Sequence, residues 1–589
     1  MLGIILDMIK EVTMKRDPSI IVLGTGGAGL RAALQLRRAG LPVVAATKGG
    51  AGASGSTASG IFSYCCARPG DPSNPPELFR QDILNSGLTV NDPDLVELMC
   101  RDGYARLDDL AKMGLPWTRS AEGELAVAWL PGHQVARAFH AGNRIGKAMS
   151  DALLRACLQA GVWFEQYQVA MDLLLEGGAV AGVAMLDIMS GEATAWRCDV
   201  AVVASGGASA IYYLHTNPPG QTGDGMALLL RAGGELVDME FMQMYPTVLV
   251  HPQAAYGMEL PTGRILSQGA RLLNRHGEEF FSRWERGPAG KATRDVLARA
   301  IAKEVASGGG SEAGGVYLDA RHIPEGMERN RYNRYLRELG IDLKESLQQV
   351  APGAHYSLGG IRILRSTACV GVEGAFAGGE VAGGVHGANR LAGNALTETQ
   401  VFGALAGQGA VDYVSGPRRK GAPCASGVSS PGPDRRTLQR GESAVWDALC
   451  AARSRSSGVS LQELQGRLRR AVQGYASVIR TRAGLEKGLA EVAQLRQAFF
   501  NHLAVPPSEE SWHPELLEAV EMANMLDVAQ ALLAGALVRT ESRGAHYRED
   551  YPDRKGDWDG CNLLSKGSGD SLTVHRLDRK SGERKQVWP

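Results

Sequence analysis

The sequence has 589 residues, of which 44% are hydrophobic and 21% are charged, a composition typical of a soluble globular protein with several domains. Lys and Arg together number 63, as do Asp and Glu, so the formal net charge at pH 7 is zero. This balance gives no electrostatic basis for binding nucleic acid or an anionic membrane surface, and we exclude both functions.

The nine cysteines are scattered along the chain and form no C-x-x-C pair, which predicts neither a zinc site nor an iron–sulfur cluster within this chain. An odd, dispersed set of cysteines is typical of a reducing compartment. No apolar run reaches the roughly 18 residues that a membrane span needs, and the apolar start Met1–Ile9 lacks a basic region before it. We therefore expect no direct membrane span and a cytoplasmic location, at most at the inner face of the membrane through partner subunits.

The first structured part of the chain has the pattern of a βαβ unit. A β-branched run, Ser19–Leu23, stops at the loop Gly24-Thr25-Gly26-Gly27-Ala28-Gly29, a helical stretch Leu30–Ala39 follows, and Leu41–Ala46 reads as a second buried strand. The backbone N–H groups of such a loop, with the positive end of the next helix, face a pyrophosphate. The sequence therefore predicts a dinucleotide site. The second strand ends in Ala46-Thr47-Lys48 without the acid that usually holds a ribose hydroxyl, which disfavours NAD.

The rest of the chain predicts a discontinuous domain. Another strand, Val200–Ala204, is followed by a glycine pair, and residues from about 251 to 350 are more polar and irregular. Glycine-rich stretches like those of the N-terminus recur in Gly374–Gly379 and Gly383–Gly393. Apolar residues at helical spacing then indicate a helical bundle, and Ser571–Asp578 with Arg584–Trp588 indicate a final hairpin. We predict an α/β protein divided into residues 15–250 and 351–414 (dinucleotide-binding domain), 251–350 (inserted α+β domain), 415–437 (linker), 438–550 (helical domain) and 551–589 (β tail).

Several further motifs resemble the fumarate reductase, succinate dehydrogenase and L-aspartate oxidase flavoproteins. They occur in that family's order and span almost the whole chain. The motifs are Thr222-Gly223-Asp224-Gly225-Met226, Asp238-Met239-Glu240-Phe241-Met242-Gln243, Thr293-Arg294-Asp295-Val296, Ala354-His355-Tyr356-Ser357-Leu358-Gly359-Gly360, Gly378-Gly379-Glu380, His386-Gly387-Ala388-Asn389-Arg390-Leu391 and the C-terminal block from Glu541 to Pro552.

The resemblance implies an FAD-dependent oxidoreductase whose inserted domain, 251–350, caps the substrate. In respiratory members a histidine after the second strand bonds covalently to the flavin, but that position is at about Gly55-Ser56 here and no histidine precedes His133. We therefore expect non-covalent FAD. The implied cofactor-binding residues are Gly24, Gly26, Gly27, Gly29, Thr47, Lys48, Ser56, Thr57, Gly60, Asp224, Glu380, Asn394, Ala395 and Leu396, and no metal site is expected.

The family's reaction moves a hydride between flavin N5 and a carbon next to a carboxylate, with proton transfer at the neighbouring carbon. The resemblance implies that His355 and Arg390 bind the substrate carboxylate, that Thr262 adds a hydrogen bond, and that Arg294 donates or accepts the proton. An arginine can act in this way only on a carbanion-like centre of still higher basicity, because its own pKa is above about 12.

The sequence departs from the family at the far side of the substrate. The histidine of the family's His-Pro-Thr motif is Tyr245 here, and a phenol brings no positive charge near neutral pH. The glutamate and arginine that relay protons in the family align with Gly263 and Leu266, and Arg264 is the nearby residue that could substitute. These changes weaken the grip on a second carboxylate and the usual proton relay, and they predict a changed substrate.

Three functional hypotheses follow. The leading one is an FAD enzyme that oxidises or reduces a C–C bond, or less readily a C–N bond, beside a carboxylate or carbonyl of a small acid other than succinate or fumarate. The second is a true succinate- or fumarate-type catalytic subunit. The third is an electron-relay flavoprotein with no organic substrate, docked on an iron–sulfur or other electron-transfer subunit.

Three other features are interpreted as structural. The Cys65-Cys66 pair is read as buried thiols, since adjacent cysteines rarely form an unstrained disulfide. His133, His140 and His386 are read as structural or flavin-adjacent. The charge-rich block from Glu541 to Pro552 is read as a salt-bridged docking surface.

Overall fold

The computed structural model describes residues 20–60, 63–142, 144–323, 336–416, 435–505 and 512–588, without the side chains of Thr262 and Arg264. The predicted substrate contact of Thr262 and the predicted substitution by Arg264 therefore lie outside the described residues. So do positions 417–434, which make up most of the predicted linker.

The N-terminal part contains the predicted βαβ unit. The run Ile20–Leu23 is buried on both faces, as in a central parallel strand, and the helix that follows begins at Gly27. The strands up to residue 249 are β1 (Ile20–Leu23), β2 (Val44–Thr47), β3 (Tyr64–Cys65), β4 (Val127–Ala128), β5 (Ala138–Phe139), β6 (Trp163–Gln166), β7 (Gln168–Glu176), β8 (Ala179–Asp187), β9 (Ala193–Arg197), β10 (Val200–Val203), β11 (Glu235–Val237) and β12 (Met242–Leu249). The helices are α1 (Gly27–Arg38), α2 (Ser56–Ser59), α3 (Pro76–Gly87), α4 (Pro93–Lys112), α5 (Ile145–Gln159) and α6 (Asp224–Arg231).

The central sheet is parallel, with β10, β1, β2 and β6 in that order and the edge strand β17 (Ala375–Ala377) beside β10. Its edge strand β17 (Ala375–Ala377) comes from the second glycine-rich part of the chain, which also contributes β16 (Gly360–Ile361) and the helix α10 (Asn394–Ser415). The dinucleotide domain is therefore discontinuous, as its glycine pattern predicts.

Between these two parts lies an α+β segment with its own apolar core. Its antiparallel sheet has the order β12, β15 (Gln348–Ser357), β14 (Val316–Asp319), β13 (Arg271–Leu273), so it shares β12 and β15 with the flanking parts of the chain. The elements after β12 are α7 (Thr262–Ser267), β13 (Arg271–Leu273), α8 (Phe281–Trp284), α9 (Arg294–Glu304), β14 (Val316–Asp319) and β15 (Gln348–Ser357).

The predicted linker ends in ordered structure. Strand β18 (Arg435–Thr437) pairs with β9 and completes an antiparallel sheet of order β18-β9-β8-β7. The polar composition that suggested a loop gives no signal for this pairing, because all three residues of β18 are exposed.

The C-terminal part forms the predicted helices and hairpin. The helices are α11 (Ala444–Arg453), α12 (Leu461–Tyr475), α13 (Arg482–His502) and α14 (Pro514–Val538), with the short strands β19 (Ile479–Arg480) and β20 (Tyr547–Arg548). The tail strands β21 (Cys561–Lys566), β22 (Thr573–Asp578) and β23 (Arg584–Trp588) join β11 and β16 in one sheet. The tail is therefore integrated with the dinucleotide domain and is not a free hairpin.

Helix α14 is long and apolar enough to cross a membrane by length and composition, but 89% of its apolar window is buried inside the protein. It packs against α13, α12 and α6, which is the behaviour of a core helix in a folded domain.

The first residues of the block from Glu541 to Pro552 form a buried salt-bridge network, whereas Glu549, Asp550 and Pro552 are exposed. Arg539 donates to Glu240 at 2.6 Å and to Glu541 at 3.2 Å, and Arg543 donates to Glu541 at 2.8 Å. The side chains of all four residues are completely excluded from solvent. The network joins the helical region to the segment between β11 and β12, and charge density alone does not distinguish such an internal network from a surface one.

Candidate active site

The glycine loop allows three segments of backbone to approach one another closely. Gly24 has φ +104°, and a Cβ on it would lie 2.4 Å from the Ala204 carbonyl oxygen. A Cβ on Gly29 would lie 1.9 Å from the Gly24 carbonyl oxygen. The Gly27 N–H donates to Thr57 Oγ1 at 3.1 Å, which holds the loop against α2. Gly24, Gly26 and Gly27 line the cleft beside the loop, whereas Gly29 acts in packing.

The cleft at the N-terminus of α1 has a volume of about 450 Å³. It is bordered by the predicted residues Thr47, Lys48 and Asp224 at the ends of β2 and α6. Helix α14 forms a further wall with Pro514, Leu517, Glu518 and Glu521, which sequence reasoning did not include among the site residues.

Lys48 connects this wall to the dinucleotide domain. Its Nζ donates to Asp224 Oδ2 and to Glu521 Oε1, each at 2.7 Å, and to Thr222 Oγ1 at 3.1 Å. Although burial works against ionisation, the Lys48 charge and its hydrogen bond hold the pKa of Asp224 below its ordinary value. The pKa of Lys48 is raised, because the two carboxylates outweigh its burial.

A second cavity of about 500 Å³ continues from the first. Ser56, Thr57, Glu380 and Thr399 line both spaces, so together they form one elongated cleft. Gly60, Ala395 and Leu396 also line the inner cavity, while Asn394 is fully buried at the start of α10 and does not. Burial raises the pKa of Glu380 to about 8, and its Oε1 accepts the Ser357 N–H at 3.0 Å.

The cleft fits a dinucleotide with an extended polar chain. Buried polar groups in or beside it that have no hydrogen-bond partner among the described residues include Ser56 Oγ, the Asn394 side-chain amide and Arg390 Nε. Buried polar groups are normally paired, so these are sites for a bound polar molecule. The glycine loop and the positive end of α1 suit the pyrophosphate of FAD, and the inner cavity suits its ring.

The predicted substrate residues converge on the inner cavity. Four side chains line it: Arg294 at the start of α9, His355 in β15, Tyr245 in β12, and Arg390 in the loop before α10. The guanidinium carbon of Arg294 lies 4.8 Å from the centroid of the Tyr245 ring, and the Tyr245 and His355 rings are 5.0 Å apart. Four residues from separate parts of the chain therefore surround one space.

Gln243 positions this cluster, and sequence reasoning did not assign it a role. Its Oε1 accepts from Arg294 Nη1 at 3.1 Å, while its Nε2 donates to Asn389 Oδ1 at 2.9 Å and to the Arg390 carbonyl at 2.8 Å. One buried amide therefore ties the inserted segment to the loop that carries Arg390.

Two arginines lie near a neutral histidine in the cavity. Burial, together with the charges of Arg294 and Arg390, holds the pKa of His355 well below its ordinary value. Its Nδ1 lies 2.8 Å from Thr216 Oγ1 and 3.4 Å from Glu259 Oε2. Burial and the Arg294 charge lower the pKa of Arg390 to about 10, and its guanidinium lies 4.2 Å from the centroid of the Tyr356 ring. Arg390 remains a cation at neutral pH and suits a carboxylate partner.

The two positions that lack relay residues are both in α7. Gly263 lines the cavity and packs beside Pro131, since a Cβ on it would lie 3.0 Å from Pro131 Cγ. Leu266 is buried in the apolar core of the inserted segment and does not reach the cavity. Glu259 does line it, and this acid was missed because nothing in the sequence around it marks a site.

The cysteines and histidines singled out in the sequence are structural or pack beside the cleft. Cys65 and Cys66 are free and buried, and burial raises the pKa of the Cys65 thiol to about 12. Burial lowers the pKa of His133 to about 4, and its Nε2 lies 3.0 Å from the Ala392 carbonyl oxygen. His386 is buried with its Nε2 3.2 Å from Glu398 Oε2.

Comparison with known proteins identifies two matching families. Residues 19–396 match the FAD binding domain family, and residues 465–579 match the family described as fumarate reductase flavoprotein C-term. One of the subunits of the fumarate reductase (CoM/CoB) of Methanothermobacter marburgensis is 34% identical over 93% of this chain and 97% of its own. The L-aspartate oxidase of Streptomyces coelicolor is 32% identical over 95% of this chain and 93% of its own.

Solved structures of an Sdh1 chain and a fumarate reductase chain have the same fold as this chain. Mycobacterium smegmatis Sdh1 in complex with UQ1 superposes with a TM-score of 0.83 at 30% identity, over 98% of this chain and 94% of that one. A variant of the E. coli quinol fumarate reductase flavoprotein superposes with a TM-score of 0.82 at 26% identity, over 98% and 97% of the two chains.

Proposed function

The chain belongs to the family of fumarate reductase, succinate dehydrogenase and L-aspartate oxidase flavoproteins, and from that premise we propose that its substrate is a small unsaturated or saturated acid other than fumarate or succinate. It is an FAD-dependent oxidoreductase acting on CH–CH or CH–NH bonds. The proposed reaction is hydride transfer at a carbon next to a carboxylate or carbonyl. The non-covalent attachment of FAD is part of the same proposal.

The observation that carries the proposal is the convergence of Arg294, His355 and Arg390 on one cavity contiguous with the dinucleotide cleft. Arg390 and the neutral His355 offer a cation and a ring nitrogen to one carboxylate. An electron relay with no organic substrate would need no such pair. FAD, when bound, supplies the hydride donor or acceptor, and Arg294 is the proposed donor or acceptor of the proton.

The lining of the cavity supports a changed substrate. A second substrate carboxylate would need a cation besides the one that binds the first, but Tyr245 is a neutral phenol and Glu259, beside His355, is an acid. Like charges at short range oppose binding unless one of them is protonated. A monocarboxylate, or an acid whose other end is uncharged, suits this cavity better than a dicarboxylate.

The test is anaerobic reoxidation of the reduced enzyme. The flavin is reduced, and its absorbance is followed while fumarate or crotonate, an unsaturated monocarboxylate, is added. The proposal expects crotonate-type acids to reoxidise the flavin faster than fumarate does. Fast, stoichiometric reoxidation by fumarate alone would contradict it.

A second function, that of a true fumarate- or succinate-type subunit, is supported by the 34% identity to a chain named as part of a fumarate reductase. That relative is named as one of several subunits, which supports an electron-transfer partner for this chain also. Purification of the chain with its native partners, followed by iron analysis, tests the partner separately from the substrate.

A further inference from the structure

The side chain of Glu259 lies where a proton could enter the reaction. Its Oε2 is 3.4 Å from His355 Nδ1, and it lines the cavity together with Arg294 and Arg390. It comes from a short hairpin in which the Leu260 N–H donates to the Thr247 carbonyl at 3.0 Å and the Leu249 N–H donates to the Met258 carbonyl at 2.8 Å. These backbone bonds fix the position of Glu259 beside β12.

Among the described residues, titratable side chains from four parts of the chain line the cavity together with Glu259. Arg294 is on α9, Arg390 is on the loop before α10, His355 is on β15 and Tyr245 is on β12. The carboxylate keeps 18% of its side-chain accessible surface because it borders the internal cavity. Burial raises the pKa of Glu259 to about 7, although the charges of Arg294 and Arg390 oppose the rise. Glu259 therefore changes protonation state near neutral pH.

We propose that Glu259 is the proton source of this active site: it takes up a proton when a carboxylate substrate binds and, through water in the cavity that the two side chains share, passes that proton to Arg294 during reduction. The inference rests on the proposed function. The family's proton relay aligns with two positions of α7, which are Gly263 and the buried Leu266 here. The inference therefore assigns the supply of the proton to a residue outside α7.

Electrostatics couples the uptake to binding. An incoming carboxylate adds negative charge beside Glu259 and engages Arg390, which until then stabilised the ionised form of Glu259. Both changes favour the protonated acid. Binding and protonation are therefore linked, so affinity for the carboxylate should fall as pH rises above about 7.

The proton balance closes in the reductive direction. The reduced cofactor, when bound, would supply a hydride to one carbon of the substrate double bond, and Arg294 donates a proton at the neighbouring carbon. Arg294 regains its proton from the carboxylic acid of Glu259 through water in the cavity, and Glu259 regains its own from water at the next binding event. The side chains end as they began, and the substrate has gained one hydride and one proton.

Calorimetry of the oxidised holoenzyme tests the uptake without turnover. Fumarate and crotonate are titrated separately at pH 8 in two buffers of different ionisation enthalpy, which gives the number of protons bound per ligand. For whichever acid binds, the wild type should take up roughly 0.5–1 proton, because an acid with a pKa near 7 is mostly ionised at pH 8 before binding. Glu259→Gln should reduce the uptake to nearly zero while still binding the acid.

The exposed carboxylate Glu279 supplies the matched control. It lies in the same inserted segment and its side chain is 62% exposed, so Glu279→Gln should leave the proton uptake unchanged. Equal uptake in Glu259→Gln and the wild type would overturn the inference and leave the proposed function standing. Failure of both acids to bind the wild type would overturn the proposed function, and the inference with it.

The pH profile of reduction provides a second readout. In the wild type, kcat/KM for reduction of whichever acid reacts should fall about tenfold per pH unit above about pH 7, because the ionised Glu259 has no proton to give. Glu259→Gln should be slower and lose this dependence, whereas Glu259→Asp should restore it. A slow Glu259→Gln variant with an unchanged pH profile would indicate a merely structural role.

Discussion

The guanidinium of Arg294 lies over the ring of Tyr245, with 4.8 Å between the guanidinium carbon and the ring centroid. A cation at this distance is attracted to the face of the ring. The phenol therefore helps to hold the proposed proton donor, at a position where the resemblance to the family predicts a histidine. Residue 245 could have two roles, to support Arg294 and to supply positive charge to a second carboxylate. Tyr245 performs the first of these and not the second.

Tyr245→His should make the enzyme a better fumarate reductase. Burial and the charges of Arg294 and Arg390 disfavour a protonated histidine in this cavity, as they do for His355, but a second bound carboxylate favours it. A charge-assisted hydrogen bond of about 1.4 kcal/mol then corresponds to about tenfold in rate. The measurement is the rate of flavin reoxidation by fumarate. Tyr245→Phe is the control, since it keeps the ring under Arg294. An unchanged fumarate rate in Tyr245→His would show that residue 245 does not contact the substrate.

Arg294→Gln should abolish the reaction while leaving the flavin bound. Loss of a group that transfers a proton typically costs about 10²–10⁴-fold in rate. The rate of reoxidation by the best acid measures the effect, with flavin absorbance as the check on folding. Arg299→Lys is the control on the same helix, where the charge pairs with Glu285 at 2.7 Å away from the cavity. A similar loss in both variants would assign the effect to packing of α9.

Two glycines of the same loop should respond differently to alanine. Gly29→Ala places a Cβ 1.9 Å from the Gly24 carbonyl, so backbone must move and the variant should fail to fold or to retain flavin. Gly26→Ala meets only Thr57 Oγ1, at 3.7 Å, and has φ −72°, so the variant should fold. It should nevertheless bind FAD more weakly, because the methyl group faces the cleft. Fluorescence titration of the apoproteins with FAD, alongside circular dichroism, measures both quantities.

Local patterns in the sequence account for most of the fold. The buried run Ile20–Leu23, the glycine loop and helix α1 follow from hydrophobic pattern and turn chemistry, and the structure contains them with ends shifted by a few residues. Strand β18 and the pairing of β21 with β11 could not be predicted in this way. Each depends on a partner strand more than 200 residues away, and exposed polar residues such as Arg435 give no local signal.

The site residues likewise fall into those that local sequence motifs predict and those that only tertiary packing brings to the cleft. Residues inside family motifs, such as Arg294 and Arg390, could be proposed from the sequence, and the structure places both on the inner cavity. Glu259 and Glu521 could not, since each reaches the cleft through tertiary packing from a segment with no motif. A buried carboxylate is recognised by the charges around it, and those charges lie far away in sequence.

Breaking the link between Lys48 and its carboxylates should loosen the docking of helix α14. Lys48→Met leaves Asp224 and Glu521 buried beside each other without a cation. Removing one partner of a buried ion pair typically costs about 3–5 kcal/mol. The expected result is a lower denaturant midpoint of the helical signal and weaker FAD binding. The midpoint is the measured quantity, because a chain with several domains need not unfold in two states.

The loss in Lys48→Met should depend on pH with a defined sign. Without the lysine, the folded state raises the pKa of Asp224 and Glu521 above their unfolded values of about 4, so the folded state binds more protons. The free energy of unfolding then falls as pH rises from the unfolded to the folded pKa of these carboxyl groups. Lowering the pH from 7 to 5 should therefore raise the denaturant midpoint of the variant part of the way back to that of the wild type. Lys147→Met is the control, since Lys147 pairs with Asp151 on an exposed helix face and should cost less than about 0.5 kcal/mol at either pH. Equal midpoints for the two variants at pH 7 would show that Lys48 does not couple α14 to the dinucleotide cleft.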